Sequence, residues 1–514
     1  MCCGLLTMRS LFLVGSLSLF FNLYGQSTDT AKASRTDYNV LFLMVDDLRP
    51  QLGCYGDTMV KTPHIDQLAA TGTVFNRAYC QIALCNPSRA SLLTGLRPDE
   101  LNVYNLTTHI REHAPDAVTL PQLFKNNGWQ SQGLYKIFHL IPSDPRAFGN
   151  MDDTASWSSP LWLPTKSVYG PKGEALRQRK LDEMAKAGDT MDYSNIPRGF
   201  ATEAPTIPDS ALADGETAVQ AIKVLNELKD ERFFLAVGFY KPHLPFIAPK
   251  EYWDLYRAAD IVLPNNRYAP KNAPEFALQK YADLRLYEDY KHIPYEAELT
   301  ATQQRELLHG YLACISYVDA QVGNILAELD RLGLRDNTVI VLLGDHGFQV
   351  GEHNMWTTKH TNYETSVRAP LIVAKPGQKA AGAVSDELVE FVDIYPTLAD
   401  ICGLEAPASL EGENFAPLLD NPNAPWSKDF ALSQYPKHVD DEQVMGRSIR
   451  TERYRLVEWR VPSTGRVIHE LYDHEVDPDE NTNVATYPRY KDVVNALSQA
   501  LHNHWNTKTT TIHL

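Results

Sequence analysis

Val40-Leu41-Phe42-Leu43-Met44-Val45-Asp46-Asp47 is a continuous apolar run that ends in two carboxylates. Apolar residues with no polar alternation read as a strand buried on both faces, the pattern of a parallel strand covered by helices. Three further stretches read as buried parallel strands in the same way: 233–239 (Phe-Phe-Leu-Ala-Val-Gly-Phe), 339–343 (Val-Ile-Val-Leu-Leu) and 370–374 (Pro-Leu-Ile-Val-Ala). Helical spacing lies between them, clearest in Leu308, Leu312, Ile315, Val322, Ile325 and Leu329, with Gly333 as the stop. Strands alternating with helices predict an α/β sheet with helices on both faces. Lys241-Pro242-His243 follows the second run and Gly344-Asp345-His346-Gly347 the third. Ligands in open α/β sheets bind beyond the carboxyl ends of the strands, so these groups and Asp46-Asp47 are expected along one edge.

From about residue 404 the pattern changes. Phe430-Ala431-Leu432 and the stretches 445–450, 454–459 and 469–473 alternate as half-exposed strands. Turn residues such as Pro462-Ser463-Thr464-Gly465 separate them, and a last helix is expected over about 490–505. This divides the chain into a large α/β domain over 36–404 and a smaller α+β subdomain with an antiparallel sheet over 405–514. Residues 142–210 are rich in Pro, Gly, Ser, Asp and Trp, with a charged helical piece near 175–187, and 264–274 have similar character. Insertions this long form functional walls or stay disordered.

The 514 residues carry 48 Lys+Arg against 64 Asp+Glu, a net charge of −16. Such a surface repels nucleic acid and anionic membranes, so neither is expected as a partner. An anionic substrate must then be captured by a local cluster of Lys, Arg, His and metal. Arg9, the apolar run 11–21 and the small or polar residues from Gly25 read as a signal peptide over 1–25. That run is too short to span a bilayer, and no other segment has the apolar length of a membrane helix. Beyond it lie Cys54, Cys80, Cys85, Cys314 and Cys402. With Cys85 set aside, the other four allow at most two disulfides, whose pairing the sequence does not assign.

Cys85-Asn86-Pro87-Ser88-Arg89, followed by Ala90-Ser91-Leu92-Leu93-Thr94-Gly95, resembles the signature of the type I sulfatases. A buried structural cysteine ahead of a helix is the plainer alternative. The resemblance implies oxidation of Cys85 to 3-oxoalanine (formylglycine), whose hydrate carries two hydroxyls on one carbon. One attacks sulfur, and the other collapses the ester by expelling sulfate. The resemblance also implies an alkaline-phosphatase-like fold, a large sheet sandwiched by helices. It further implies one divalent cation, calcium or magnesium, at Asp46, Asp47, Asp345, His346 and the modified Cys85; hard carboxylate oxygens suit such an ion. His346 could instead contact the sulfate.

The same resemblance assigns further roles. Arg89, one turn along the helix from Cys85, stabilises the oxyanion of the hydrate. Lys136, in Tyr135-Lys136-Ile137-Phe138-His139, binds a sulfate oxygen, and His139 takes the second proton of the hydrate. His243 binds substrate and is the general acid for the departing sugar oxygen, since histidine titrates near working pH. Lys359 clamps the sulfate from the opposite side. Pro87 fits the first turn of a helix, where backbone N–H groups favour a bound anion.

Asp46-Asp47-Leu48-Arg49-Pro50, Leu52-Gly53-Cys54-Tyr55-Gly56-Asp57 and Lys136-Ile137-Phe138-His139 are similar to the iduronate-2-sulfatase branch of that family. The implied enzyme hydrolyses sulfate esters on an acidic polysaccharide or its oligosaccharides, uronate 2-sulfate or sulfated rhamnose, as in glycosaminoglycan or ulvan. Its implied partners are that substrate and a formylglycine-generating or sulfatase-maturing enzyme. It would be exported, periplasmic or secreted in a bacterium and lysosomal in an animal. Two rival readings are a phosphoester or phosphonate hydrolase of the same superfold, and a sulfated-glycan-binding protein in which Cys85 stays a thiol. Gathering Arg89, Lys136, His139, His243 and Lys359 in a globally acidic chain suggests a pocket for one sulfate at a chain end.

Overall fold

The computed structural model describes residues 38–140, 151–190, 195–279 and 283–505; the expected signal segment 1–25 lies outside them. Seven described strands form the main sheet: β1 Asn39–Val45, β2 Thr73–Tyr79, β3 Gln130–Tyr135, β4 Phe233–Phe239, β5 Thr338–Gly344, β6 Leu371–Ala374 and β7 Ala383–Glu390. Their order is β7-β2-β6-β5-β1-β4-β3. β1 pairs in parallel with β4 and β5, and β3 in parallel with β4. Side chains of β1 alternate between two cores, Leu41, Leu43 and Val45 on one face and Val40, Phe42 and Met44 on the other. Burial on both faces is what its unbroken apolar run requires.

The stretch 370–374 corrects the expectation of a fourth parallel strand. β6 runs antiparallel to both of its neighbours, β5 and β2. Between β5 and β6 the chain makes a short hairpin, Gln349–Val350 against Trp356–Thr358, and one helical turn, Glu364–Val367. Without a crossover helix it returns beside β5 in the reverse direction. An apolar run reports burial on both faces and carries no direction, so the sequence pattern could not separate the two cases.

Helices cover both faces. The chain supplies α1 Cys85–Thr94, α2 Pro171–Ala187, α3 Ala213–Leu228, α4 Ala301–Arg331 and α5 Ile394–Ile401. Apolar residues of α3 and α4 join the core of Leu41, and those of α1 and α5 the core of Val40. A capping box of Thr300 and Gln303 starts α4, and Gly333, at φ +69°, follows its end as the sequence predicts. The charged piece of the long insertion is α2; residues 142–150 and 191–194 of that insertion lie outside the described set. Among the described residues no helix is long and apolar enough to cross a membrane.

The C-terminal sheet is antiparallel, β8 Phe430–Val439, β9 Glu442–Thr451, β10 Tyr454–Arg460 and β11 Val467–Asp473 in chain order. Leu432, Ile449, Leu456 and Leu471 on one face pack against Val494, Leu501 and Trp505 of α6 Lys491–Trp505. The sheet is fastened to the larger one through β8. Ser433 Oγ donates to Cys80 O at 2.6 Å, and the Gln434 N–H donates to Gln81 O at 2.8 Å.

Candidate active site

Five strands of the main sheet end at one edge and deliver the residues singled out by the sequence. β1 is followed by Asp46-Asp47, β2 by the loop to Cys85, β3 by Lys136 to His139, β4 by Lys241 to His243, and β5 by Asp345-His346. The β ladder continues one residue past β1 and β5: Asp46 N donates to Phe239 O at 3.1 Å, and Asp345 N to Val45 O at 3.2 Å. Asp47 then leaves the strand in the left-handed region, at φ +57°, a conformation that costs about 1 kcal/mol or more and persists only where its surroundings enforce it. Here Tyr311 Oη donates to the Asp47 carbonyl at 2.8 Å, and Asp47 N donates to Asp345 Oδ1 at 3.1 Å.

Cys85 is the first residue of α1 and Pro87 the third, where a missing N–H leaves nothing unsatisfied. All ten residues of this helix are buried, so its N-terminal partial charge is little screened by water. Ser88 Oγ donates to the Asp345 carbonyl. Arg89 donates from Nε to Asp345 Oδ2 at 2.9 Å, from Nη2 to Asp46 Oδ1 at 3.2 Å, and from Nη1 to the carbonyls of Lys136 and Ile137. The guanidinium thus ties the ends of β1 and β5 to the loop after β3, and these bonds go to the carboxylates and carbonyls around Cys85, not to its sulfur.

Asp46, Cys85, Asp345 and His346 each offer a ligand atom within 4.8 Å of the others, and Asp47, Cys85 and His243 form a second such group. His346 Nε2 lies 3.3 Å from Cys85 Sγ, 3.5 Å from Asp345 Oδ2 and 3.6 Å from Asp47 Oδ1. Its Nδ1 is 2.9 Å from Gly347 O. Donation there from Nδ1–H leaves the Nε2 lone pair facing the carboxylates, the tautomer a metal ligand needs. Three carboxylates and one imidazole are a donor set that fits a hard divalent cation.

Lys136 Nζ donates to Asp46 Oδ2, and Lys359 Nζ to Asp47 Oδ1 at 2.7 Å. His243 Nε2 is 3.8 Å from Asp47 Oδ2, with Nδ1 2.7 Å from Leu244 O. His139 is buried, and neither ring nitrogen has a hydrogen-bond partner among the described residues. Burial pushes Asp47 up to about 8 against the pull of Lys359, and Asp345 up to about 7 against Arg89. Asp46 is held well below the usual carboxylate range despite its burial, because Lys136 and Arg89 both face it. Burial drives His139, His243 and His346 well down, helped by the nearby lysines. It pushes the Cys85 thiol well up, with Asp46 adding. A bound cation relieves carboxylates that burial pushes toward holding protons.

A cleft of about 980 Å³ opens over Cys85. Its described lining has four Lys or Arg residues, Lys136, Arg198, Lys359 and Lys437, against one carboxylate, Asp283. That local excess of positive charge stands against −16 for the whole chain. Arg198, Tyr435 and Lys437 were not singled out by sequence reasoning. Tyr435 and Lys437 share a face of β8 by the period of two, so a lysine at an inward strand position was a usable signal. Arg198 sits in the long insertion, where no periodicity marks direction. The remaining cysteines, Cys54, Cys80, Cys314 and Cys402, are free thiols, so neither of the two possible disulfides forms.

Comparison with known proteins separates chemistry from scaffold. The chain matches the Sulfatase family over residues 38–404 and the C-terminal part of N-sulphoglucosamine sulphohydrolase over 351–507. Iduronate 2-sulfatase of Homo sapiens is 35% identical over 503 residues, covering 84% of this chain and 87% of its own. BT4656, solved in complex with its substrate D-glucosamine-2-N,6-O-disulfate, superposes with a TM-score of 0.69 at 22% identity, over 91% of this chain and 97% of its own. Phosphonate monoester hydrolase from Silicibacter pomeroyi superposes with a TM-score of 0.70 at 22% identity, over 92% and 96%. These two show the shared fold, an alkaline-phosphatase-like α/β sheet flanked by helices. With the family match spanning all five strand ends and Cys85, the chain belongs to the sulfatase family and is a sulfuric ester hydrolase similar to iduronate 2-sulfatase.

Proposed function

We propose that this sulfatase is formylglycine-dependent and removes sulfate from a terminal sugar of an acidic oligosaccharide, a uronate 2-sulfate or a sulfated rhamnose, as in glycosaminoglycan or ulvan. The observation that carries the reading is the meeting of Cys85, three buried carboxylates and two lysines at one strand-end edge. Burial keeps the Cys85 thiol protonated, so the encoded side chain is a poor nucleophile. A formylglycine-generating or sulfatase-maturing enzyme would convert it to an aldehyde, whose hydrate supplies the hydroxyl for attack on sulfur. Asp46, Asp47, Asp345 and His346, with position 85, would hold calcium or magnesium, which supplies positive charge to the sulfate oxygens.

The remaining side chains divide binding and proton transfer. Lys136 and Lys359 reach the cluster from separate loops and hydrogen-bond sulfate oxygens from opposite sides. Arg89 stabilises negative charge at position 85 from one turn away and holds Asp46 and Asp345 in register. His139, whose ring nitrogens have no described partner, accepts the proton released at position 85 when sulfate leaves. His243 donates from Nδ1 to Leu244 O, which makes Nε2 the site that exchanges a proton with the departing sugar oxygen. Burial and Lys359 hold this imidazole neutral, and the negative charge of an incoming sulfate ester raises its proton affinity. Residues 1–25 would export the protein, 36–404 carry the chemistry, and 405–514 form the subdomain that supplies Tyr435 and Lys437 to the cleft wall.

Terminal action rests on the cleft of about 980 Å³ over Cys85 being a pocket for one sulfated chain end and not an open groove. Sulfate release is therefore measured side by side on a sulfated polymer and on its oligosaccharides, with a phosphonate monoester as third substrate. Faster release per sulfate from short chains is expected. Equal rates on polymer and oligosaccharide would refute the terminal action, and preferential turnover of the phosphonate would refute the sulfate specificity.

A further inference from the structure

The cleft holds a buried lysine to which the sulfatase reaction gives no role. Lys437 lies on β8, on the same face as Ser433 and Tyr435, and each step of two residues advances about 6.6 Å. Ser433 is anchored to Cys80 O, so this face of β8 runs from the loop leading into Cys85 outward along the cleft wall. The Lys437 side chain donates from Nζ to two neutral acceptors, Leu278 O at 3.0 Å and Gln279 Oε1 at 2.9 Å. It pairs with no carboxylate among the described residues. An ammonium has three donors, so one is without a partner among the described residues.

Burial holds the Lys437 ammonium down to about 7, and only Glu470 acts in the other direction. Glu470 is itself occupied, accepting from Trp459 Nε1, Tyr363 Oη and Tyr472 Oη. A buried cation without a counter-charge is unfavourable, and a fold that needs only packing at this place would use an apolar residue. The position fits a ligand. Lys437 Nζ is 5.6 Å from the centroid of the Tyr435 ring, and the His360 ring stacks on Tyr435 at 5.7 Å and 24°. His360 directly follows Lys359, and both lysines act on its imidazole, which burial and these charges push down to about 3. Lys437 and Lys359 thus line the same cleft, with the His360 and Tyr435 rings stacked beside them and both charges acting on His360.

We propose that Lys437 binds the ring carboxylate of the uronic acid whose sulfate is held at Cys85, and so selects sulfated uronates over neutral sulfated sugars. This rests on the sulfatase reading of the Cys85 site. The third donor on this point charge matches one carboxylate oxygen, whereas the sulfate site assembles two lysines and several further groups.

The test compares a 2-O-sulfated uronate disaccharide with its carboxyl-reduced counterpart, using matured wild type, Lys437→Met and Lys437→Arg, with 4-nitrophenyl sulfate as a substrate lacking any carboxylate. Wild type is expected to favour the carboxylate form by about tenfold to a hundredfold, through KM, the size of one charged hydrogen bond. Lys437→Met should bring that ratio to about one with 4-nitrophenyl sulfate turnover within about twofold, and Lys437→Arg should restore most of the ratio. Equal KM values for the two disaccharides in wild type would overturn the proposal, and that comparison needs no variant to fold. A Lys437→Met that keeps the preference, or that lowers all three substrates alike as a purely structural lysine would, overturns it too. Failure of the sulfatase reading looks different: matured wild type would release sulfate from none of the three.

Discussion

Two buried charge clusters in this molecule use similar ingredients and reach opposite states. Near the C-terminal sheet, Glu364 accepts from Arg450 Nε at 3.3 Å and from Arg455 Nη2, while Arg455 Nε and His474 Nε2 lie 2.6 and 3.0 Å from Glu480 Oε1. Arg450 and Arg455 outweigh burial and hold Glu364 well below the usual carboxylate range, and Arg455 and His474 lower Glu480 against its burial. Every charge there meets its opposite. At the strand-end edge, Asp47 and Asp345 are instead pushed up to about 8 and 7, because burial outweighs Lys359 at Asp47 and Arg89 at Asp345, and the neighbouring carboxylates add to it. Glu364, His474 and Glu480 also have the spacing of a metal site. The arginines facing Glu364 and Glu480 keep that group ionised as a structural fastening, whereas burial raises Asp47 and Asp345 in spite of Lys359 and Arg89, the kind of perturbation that gathers at functional sites.

Substitutions at the two clusters should therefore break different properties. Removing Cys85, the proposed nucleophile precursor, is expected to have the largest effect. Cys85→Ala should lower turnover by about 10⁴-fold or more while the thermal midpoint changes little, since the active unit fails as a whole. Mass spectrometry of the Cys85 peptide should find the aldehyde in active wild type, and full activity from the unmodified thiol alone would end the formylglycine reading. Asp345→Asn comes next. It should cost about a hundredfold or more in kcat/KM by weakening both the cation and the hold on Arg89; wild-type rates from this variant would remove Asp345 from the metal set.

Cation removal tests the raised carboxylates directly. Chelation should abolish activity, and added calcium or magnesium should restore it and raise the thermal midpoint. Protons compete for Asp47 and Asp345, which burial raises to about 8 and 7, so cation uptake should release protons. Apparent affinity is then expected to strengthen as pH rises from about 6 to about 8 and to level above that; calorimetric titrations in buffers of different ionisation heat would show it. Affinity that is flat across this range would mean the carboxylates are already ionised in the cation-free protein. The smallest effect on chemistry falls at the other cluster. Glu364→Gln should leave turnover of the folded enzyme within about twofold while lowering stability by about 3–5 kcal/mol, the cost of stranding buried arginines. A loss of activity without a loss of stability would reverse the contrast between the two clusters.

Much of this was legible beforehand, and the boundary follows physical lines. Strands β1, β4 and β5 and helix α4 were readable because burial on both faces demands unbroken apolar runs, and a helix facing a core demands spacing of three and four. Polar residues directly after strands foretold the edge at which Asp46, Asp47, His243, Asp345 and His346 meet. The direction of β6 was not readable, because it depends on the hairpin and turn that precede it and not on its own residues. Nor was the work of Arg89 fully readable. Spacing placed it one turn from Cys85, but only the approach of β1, β5 and the loop after β3 assigns its donors to Asp46, Asp345 and two carbonyls.

The chain by itself determined the periodicities, the polar residues at the strand ends and the cysteine motif at 85–89, since each is a property of neighbouring residues. Only the tertiary structure decided which charges are satisfied. A carboxylate's proton affinity depends on what distant segments bring within a few ångströms once water is excluded. That is why Glu364 and Asp47, both acids in the sequence, are held low at one place and high at the other.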